Sequence, residues 1–168
     1  MAWDQNFSLP ERGFFSEQQL GQVAAIFRAI QPVDAERGIP GAAQAGAHHF
    51  LDLLLAPGSP SDYAEISDWQ ARYPVWLAAL DTAARARTGK ALSDLDEAAI
   101  TTFLEALEAG KLEGVSDQAL IFKTLWRHCL QGCWSDSRWG GNRDRIMWRW
   151  MGYLQEAETL DLAGGHGA

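Results

Sequence analysis

Apolar side chains recur at intervals of three and four residues along most of this chain, which is the period of an amphipathic α-helix. The clearest stripe begins after Ser16, and Gln19 follows that serine by three residues. This spacing is typical of a capping box, in which side chains bond the free amides at a helix start. The stripe is formed by Leu20, Val23, Ala24, Phe27 and Ile30. The pattern predicts a first helix that ends before Pro32.

Four further helical regions follow from the same spacing. One is predicted over residues 41–56, and another over residues 61–88. Pro74 lies inside the second region, and because proline has no amide donor we expect a kink there or two separate helices. A helix capped by Ser93 should extend to Gly110, and a helix capped by Ser116 should extend to Gln131. The last of these is apolar nearly all round, which predicts a central, buried helix.

The elements together define a fold class. Asn142 is placed to cap a short final helix, and the chain shows neither sustained alternation nor a hairpin dipeptide that would indicate strands. We therefore predict one all-α domain of five to seven helices. Its predicted divisions are an extended, aromatic-bearing arm over residues 1–15, a helical domain over residues 16–154, and a mobile, glycine-rich tail over residues 155–168.

One loop stands out from this helical pattern. Residues 134–144 read WSDSRWGGNRD, with aromatic, acidic, amide and guanidinium groups around a glycine pair. Glycine permits backbone conformations and close approaches that other residues resist, and tryptophan and arginine are enriched where proteins bind each other. We expect an ordered loop that meets a second protein. The expected partner-binding residues are Trp134, Asp136, Arg138, Trp139, Gly140, Gly141, Asn142, Arg143, Asp144 and Trp148.

Composition and charge narrow the possible partners. The chain has 168 residues, of which 47% are hydrophobic and 21% are charged, as expected of a folded domain. Its formal net charge of −8 argues against nucleic-acid binding, although four arginines between residues 138 and 149 make the loop region locally basic. No apolar run approaches the roughly 20 residues that span a bilayer, so no membrane span is expected.

Candidate chemistry within the loop region has simpler explanations. Cys129 and Cys133 fit two buried thiols better than a disulfide, and His128 fits a hydrogen-bonded core residue better than a metal ligand. Asp136 and Asp144 could form an acid–base pair. We favour instead Asp136 binding turn amides or Arg138, and Asp144 placed at the positive end of the last helix.

No other residues complete an active site. The phosphate-binding and nucleophile motifs that mark cofactor-binding or serine-dependent proteins do not occur. We therefore expect no catalytic residue and no cofactor-binding residue in this chain. The mixture of tryptophan, aspartate and asparagine in the loop leaves one alternative function open, a stand-alone helical protein that binds carbohydrate.

Several segments resemble one known family. They are FFSEQQL at the first helix, IPGAAQAG before the second, GCWSDSRWGGNRD at the loop, and the ending WRWMGY. Over residues 14–153 the chain resembles the gluconate 2-dehydrogenase subunit 3 family. The resemblance implies a small subunit, without a flavin of its own, that supports folding, stability or export of a large subunit. That large subunit is expected to be an FAD-dependent oxidoreductase of the glucose–methanol–choline (GMC) type, acting on sugars, sugar acids or glucosides.

The resemblance also bears on electron transfer and location. A cytochrome c is a possible downstream partner of such complexes. Many family members carry a twin-arginine export signal, whereas residues 1–15 show a single arginine, Arg12, and no signal-peptide pattern. The expected location is the periplasm, as part of an exported complex, or the cytoplasm. Ser137 and the Trp148/Trp150 pair depart from the usual family pattern, so the partner surface is expected to differ in detail.

Overall fold

The computed structural model of the protein describes residues 8–153, and within them the secondary structure is helical. An isolated antiparallel bridge between Asp34 and Ile39 is the one extended pairing in this range. Short 3₁₀ turns cover Leu92–Asp94, Ser137–Trp139 and Arg143–Arg145. The seven α-helices are α1 (Glu17–Ile30), α2 (Ala42–Ala45), α3 (Ala47–Leu54), α4 (Ile66–Thr88), α5 (Glu97–Glu108), α6 (Gln118–Trp134) and α7 (Ile146–Trp150). The all-α prediction is confirmed.

Helix α1 is the centre of the described fold, because it contacts each helix from α2 to α6. Val23, Ile26 and Phe27 are completely buried on it. The predicted capping box is confirmed: the Gln19 amide donates to the Ser16 hydroxyl, and the Ser16 amide donates to the Gln19 side chain. The expectation that the helix containing Leu125 would be the central one is wrong, since α6 leaves Trp126 49% exposed.

Helix α4 runs without a break through Pro74, so the alternative of two separate helices is wrong. Trp69 and Tyr73 before the proline and Trp76 after it all pack into the same core. Continuous packing on both sides offsets the one hydrogen bond that proline removes. The helix begins later than predicted, and Tyr63, expected in its apolar stripe, is 47% exposed ahead of it.

Two predicted helix caps are wrong. Helix α5 is capped by Asp96, whose carboxylate accepts from the Ala99 amide, whereas Ser93 lies in the preceding 3₁₀ turn. Ser116 does not cap α6: the residue before that helix is Asp117, in the left-handed region with φ of 54°, and its side chain makes no cap bond. Asp96 rather than Ser93 caps α5 because a carboxylate is a stronger hydrogen-bond acceptor than a hydroxyl at the positive end of a helix.

Asp52 on α3 holds the N-terminal arm against the body. Its carboxylate accepts from the Phe15 amide at 2.7 Å, and its carbonyl accepts from the Phe14 amide at 3.2 Å. The Phe15 ring then meets Tyr73 edge-on, with centroids 5.6 Å apart. Asp52 and His48 lie four residues apart on α3, a spacing that would allow a pair, but the carboxylate accepts from the backbone of the arm instead. Residues 1–7 of the predicted arm, residue 154 of the predicted domain and the whole predicted tail, residues 155–168, lie outside the described residues.

The contact between α3 and α6 positions the loop that follows α6. Gly132 lies directly against α3, and a Cβ placed there would be 2.7 Å from the Ala47 carbonyl oxygen and 2.8 Å from its Cα. Backbone atoms in a helix cannot move aside cheaply, so α3 and α6 can approach this closely because position 132 has no side chain.

Replacement of Gly132 by alanine should therefore destabilise the fold. We expect Gly132→Ala to lower the free energy of unfolding in urea by about 1–3 kcal/mol through overpacking. Gly21→Ala is the matched control, since Gly21 also lies within a helix but a Cβ there would be 3.8 Å from its nearest neighbour, Ser93. That control should gain about 0.5–1 kcal/mol of stability. Equal changes in both variants would contradict the close contact.

Candidate functional site

The loop from Trp134 to Asp144 folds back onto α3 through its glycines. Gly140 has φ of 87°, and a Cβ on it would be 2.6 Å from Leu53 Cδ1. A Cβ on Gly141 would be 2.9 Å from both Phe50 Cβ and Ser135 Oγ, and closer still to a backbone oxygen of α6. The loop is therefore packed between two helices. Its predicted order is confirmed by these contacts.

Asn142 ties the loop to both flanking helices. It is completely buried. Its backbone amide donates to the Gly132 carbonyl at 2.9 Å and its side-chain nitrogen donates to the Ser135 carbonyl at 3.1 Å. Its side-chain oxygen accepts from the Met147 amide at 3.0 Å, in the first turn of α7. The residue immediately before α7 is Arg145, so Asn142 is not the N-cap that the sequence predicted, although its side chain still accepts from an amide of the first turn.

The backbone around Asn142 is unusual for residues that have a Cβ. Asn142, Asp144 and Arg145 have φ values of 42°, 54° and 55°, all in the left-handed region. Such conformations cost energy and cluster at functional positions, where the surrounding structure holds them in place. Here the hydrogen bonds of Asn142 help to maintain the left-handed conformations. The segment forms a sharp turn on which the charged side chains are exposed.

Asp136 stabilises the first turn of the loop. Its carboxylate accepts from the Arg138 amide at 3.0 Å and from the Arg138 guanidinium at 2.9 Å and 3.1 Å. The hydrogen bond from Arg138 holds the pKa of Asp136 below its usual value. The favoured interpretation of Asp136 is confirmed. Asp136 and Asp144 line different cavities, so they do not face each other across either one.

A cavity of about 460 Å³ opens on one side of this turn. Its walls are mainly apolar and aromatic, with Trp134, Trp139 and Tyr63 among them. Asp62 and Gln131 also line it, and the Gln131 side-chain oxygen is buried without a hydrogen-bond partner. Tyr63 and Gln131 were not predicted as site residues, because neither lies in the loop. Only the tertiary fold brings them beside it, Tyr63 from the segment before α4 and Gln131 from α6.

A second cavity, of about 530 Å³, lies on the other side and is polar. Arg143, Arg145 and Arg149 line it, and Asp144 is the one carboxylate in its lining. We call this the arginine pocket. None of the three arginines makes a salt bridge to another residue within 8–153. The guanidinium of Arg143 also lies against Gly46, at the junction of α2 and α3.

His48 and His49 lie near Arg143 of the arginine pocket but add no positive charge to it. Burial, the neighbouring His49 and the charge of Arg143 lower the pKa of His48 to about 4. Burial and then Arg143 also lower the pKa of His49, while Asp52 partly opposes them. Both rings are therefore uncharged at neutral pH, and the positive charge at this end of the molecule belongs to the guanidinium groups.

An aromatic rim follows the loop at α7. We use this name for Trp148, Trp150, Met151 and Tyr153. Trp150, Met151 and Tyr153 are 44%, 54% and 56% exposed. Trp148 is partly buried, since its indole nitrogen donates to the Trp134 carbonyl at 3.1 Å and its ring meets Tyr153 at 5.5 Å. The rim is thus exposed apolar surface fixed to an ordered loop.

The predicted partner-binding residues divide into two groups. Arg138, Arg143 and Asp144 are exposed, and Trp134, Asp136, Trp139, Gly140 and Trp148 are partly exposed. Gly141 and Asn142 are buried, so in this conformation they order the loop and do not touch a partner directly. Loop composition alone does not separate the two groups, because Gly141 is buried against Phe50 of α3, which is distant in sequence.

The other candidate ligands on α6 belong to the core. His128 is completely buried, its Nδ1 is 2.6 Å from the Tyr73 hydroxyl, and Trp69 meets its ring edge-on. Cys129 and Cys133 are buried free thiols. The core interpretations of these three residues are confirmed. No group of three or more potential metal ligands occurs among residues 8–153, and no helix in that range is long and apolar enough to cross a membrane.

Comparison with known proteins completes the description of the site. A family model described as gluconate 2-dehydrogenase subunit 3 matches residues 17–154, which include the helices α1 to α7 and the whole loop. The chain belongs to the gluconate 2-dehydrogenase subunit 3 family. No curated protein and no solved structure matched the chain. As a subunit 3 protein, it has an accessory role in a complex with other dehydrogenase subunits.

Loss of the Asn142 side chain should loosen the loop of this subunit 3 protein. We expect Asn142→Ala to lower the free energy of unfolding by about 2–4 kcal/mol, because it leaves buried groups unpaired and keeps a strained φ. Asn142→Gly removes the same bonds but relieves the strain, so it should lose about 1 kcal/mol less. Urea denaturation measures both. Identical losses would show that backbone strain at position 142 is negligible.

Acid should destabilise the fold through its buried histidines. Burial and then the charge of Arg127 lower the pKa of His128 to about 3, and that of His48 falls to about 4. Unfolded histidine titrates near 6.5, so below that pH the unfolded chain binds more protons. Stability should fall as the pH drops below about 6.5 toward the folded-state pKa values of about 4 for His48 and about 3 for His128, by up to about 1.4 kcal/mol per pH unit for His128 and by less for the partly exposed His48. His128→Gln should flatten the slope measured in urea; an equally steep slope would contradict the assignment.

Proposed function

We propose that this subunit 3 protein is a non-catalytic accessory subunit of an FAD-dependent sugar, sugar-acid or glucoside dehydrogenase. Its partner is a large flavoprotein subunit of the GMC type, which holds the FAD. The partner docks on the corner formed by the loop, the aromatic rim and the two cavities. The observation that carries the proposed location is the rim: apolar side chains about half exposed, on and just after α7, next to a loop that is itself ordered.

The energetics of the rim support this location. Trp150, Met151 and Tyr153 leave apolar surface in water, which costs about 25 cal/mol per Å² relative to burial. Contiguous exposed apolar surface rimmed by charged groups is typical of protein interfaces. Trp134 continues the rim toward the loop, with its ring 6.3 Å from that of Trp150. A partner that covered these rings would gain the free energy of burying their apolar surface.

The rigidity of the loop supports the same proposal. Docking is opposed by the loss of side-chain and loop freedom. Here Gly140 and Gly141 pack on α3, and the side chain of Asn142 bonds both sides of the loop before any partner arrives. A loop that is already ordered loses little further freedom on binding, so more of the contact energy appears as affinity.

Such a subunit would act by stabilising its partner. The large subunit would be left with an exposed apolar surface in the absence of this chain, and would then fold poorly or aggregate. We propose that the complex is located in the periplasm after export, or in the cytoplasm, and that it passes electrons to a cytochrome c or another acceptor. These proposals rest on the resemblance of the chain to its family.

Co-expression tests the proposed function. The chain should be produced together with a candidate GMC-type flavoprotein from the same genome, and the purified material assayed for both subunits and for bound FAD. We expect the two to co-purify, and we expect less soluble flavoprotein when this chain is omitted. A flavoprotein that is equally soluble and active alone, and that never associates with this chain, would refute the proposal.

A single tryptophan should separate the proposed interface from the rest of the surface. Trp139 lines the aromatic cavity, and we expect Trp139→Ala to weaken binding of the large subunit by at least ~2 kcal/mol, as for interface hot spots. Trp126→Ala is the control, because Trp126 is 49% exposed on α6, outside both cavities and the rim. Interferometry with immobilised flavoprotein measures both. Equal affinities for the two variants would remove the loop from the interface.

Carbohydrate binding by the isolated chain remains a second candidate because of the aromatic cavity. Trp134, Trp139 and Tyr63 provide faces on which a sugar ring can stack, and Asp62 and the unpaired Gln131 oxygen provide acceptors for hydroxyl groups. Titration calorimetry with gluconate and simple glucosides tests this function directly. Heat of binding that disappears in Trp139→Ala would favour it, and no heat with any sugar would exclude it for those ligands.

A further inference from the structure

A purely apolar interface would not account for the arginine pocket. Arg143, Arg145 and Arg149 share a cavity of about 530 Å³ with one carboxylate, on a chain whose formal net charge is −8. Like charges held this close repel each other. A chain with this excess of acidic residues has many carboxylates available to neutralise them, yet no ion pair within residues 8–153 involves these three arginines.

The backbone that presents these arginines is strained. Asp144 and Arg145 occupy the left-handed region, although neither is glycine. Asn142, itself left-handed, fixes the start of this segment through buried hydrogen bonds. Strain that the surrounding structure maintains is a second, independent sign that the position of these side chains matters. His48, behind Arg143, has its pKa lowered to about 4, so the charge of the pocket does not depend on pH near neutrality.

We propose that the arginine pocket receives an acidic segment of the large subunit, with at least two carboxylates pairing with Arg145 and Arg149. This proposal rests on the proposed function and adds the chemistry of the partner. Guanidinium groups bind carboxylates through two parallel hydrogen bonds, so the pocket selects position as well as charge. The aromatic rim would supply most of the buried area, and the pocket would fix the orientation of the partner and speed its approach.

The first test is the salt dependence of the assembled complex. Binding of the large subunit should be measured by interferometry at about 0.05 M and about 0.5 M NaCl. Arg145→Gln/Arg149→Gln should weaken binding at least about tenfold at low salt, and the gap from the unmodified chain should narrow at high salt as screening grows. Arg87→Gln is the control, because that exposed arginine on α4 makes one long bond to the Lys111 carbonyl; it should stay within about twofold.

The second test identifies the carboxylates. Arg145→Lys keeps the charge and supplies an amine, which a carbodiimide joins to a carboxylate in direct contact. In the purified complex we expect mass spectrometry to find position 145 linked to an aspartate or glutamate of the large subunit. Links only to Glu156, Glu158 or Asp161 of this chain, which lie outside the described residues, would overturn the proposal, because the pocket would then be occupied from within.

Two outcomes distinguish failure of the acidic-segment proposal from failure of the accessory-subunit proposal on which it rests. Association that is as tight and as salt-sensitive in the Arg145/Arg149 double variant as in the unmodified chain would overturn the acidic-segment proposal and leave the accessory-subunit function intact. Failure of the unmodified chain to associate with the flavoprotein at all would overturn both. Circular dichroism of the variants should match that of the unmodified chain, since neither arginine makes a described ion pair.

Discussion

The close approach of α6 to α3 is the constraint on which the functional end of this molecule depends. It requires glycine at position 132, and it brings the end of α6 to the side of α3. The chain then has to turn sharply, and Gly140 and Gly141 let it do so against Leu53 and Phe50. A small residue at one helix crossing therefore decides where an eleven-residue loop can lie, and with it where the exposed tryptophans and arginines are displayed.

Asn142 converts that placement into a fixed shape. One side chain satisfies a carbonyl after α6 and an amide at the start of α7, so the two ends of the loop are joined through it. Burial in a region of low dielectric strengthens these bonds and makes their loss expensive. The neighbouring residues can then hold left-handed conformations that they would not adopt alone. The loop thus combines an interior that is fully bonded with an exterior that carries apolar and cationic groups.

The two cavities make the two sides of the loop chemically different. On one side of the Ser137–Trp139 turn lie aromatic walls with acceptors, and on the other lie three guanidinium groups. A protein of the gluconate 2-dehydrogenase subunit 3 family acts within a complex. Under the proposed function, this corner would offer its partner both apolar area to bury and a charge pattern to match. Area contributes affinity through the hydrophobic effect, whereas charge contributes orientation.

The sequence by itself determined the helical class, the capping box of α1, the order of the loop and the buried state of Cys129 and Cys133, because each follows from local spacing and residue chemistry. It misplaced the start of α5, it allowed two separate helices around Pro74 where α4 is continuous, and it assigned the centre of the fold to α6. Only the tertiary structure decided that α1 is the central helix and that Asn142 is buried whereas Arg143 is exposed. It also decided that Tyr63 lines the same aromatic cavity as the loop residues Trp134 and Trp139. These outcomes depend on contacts between residues far apart in the chain, whose energies exceed the local preferences that a sequence pattern reports.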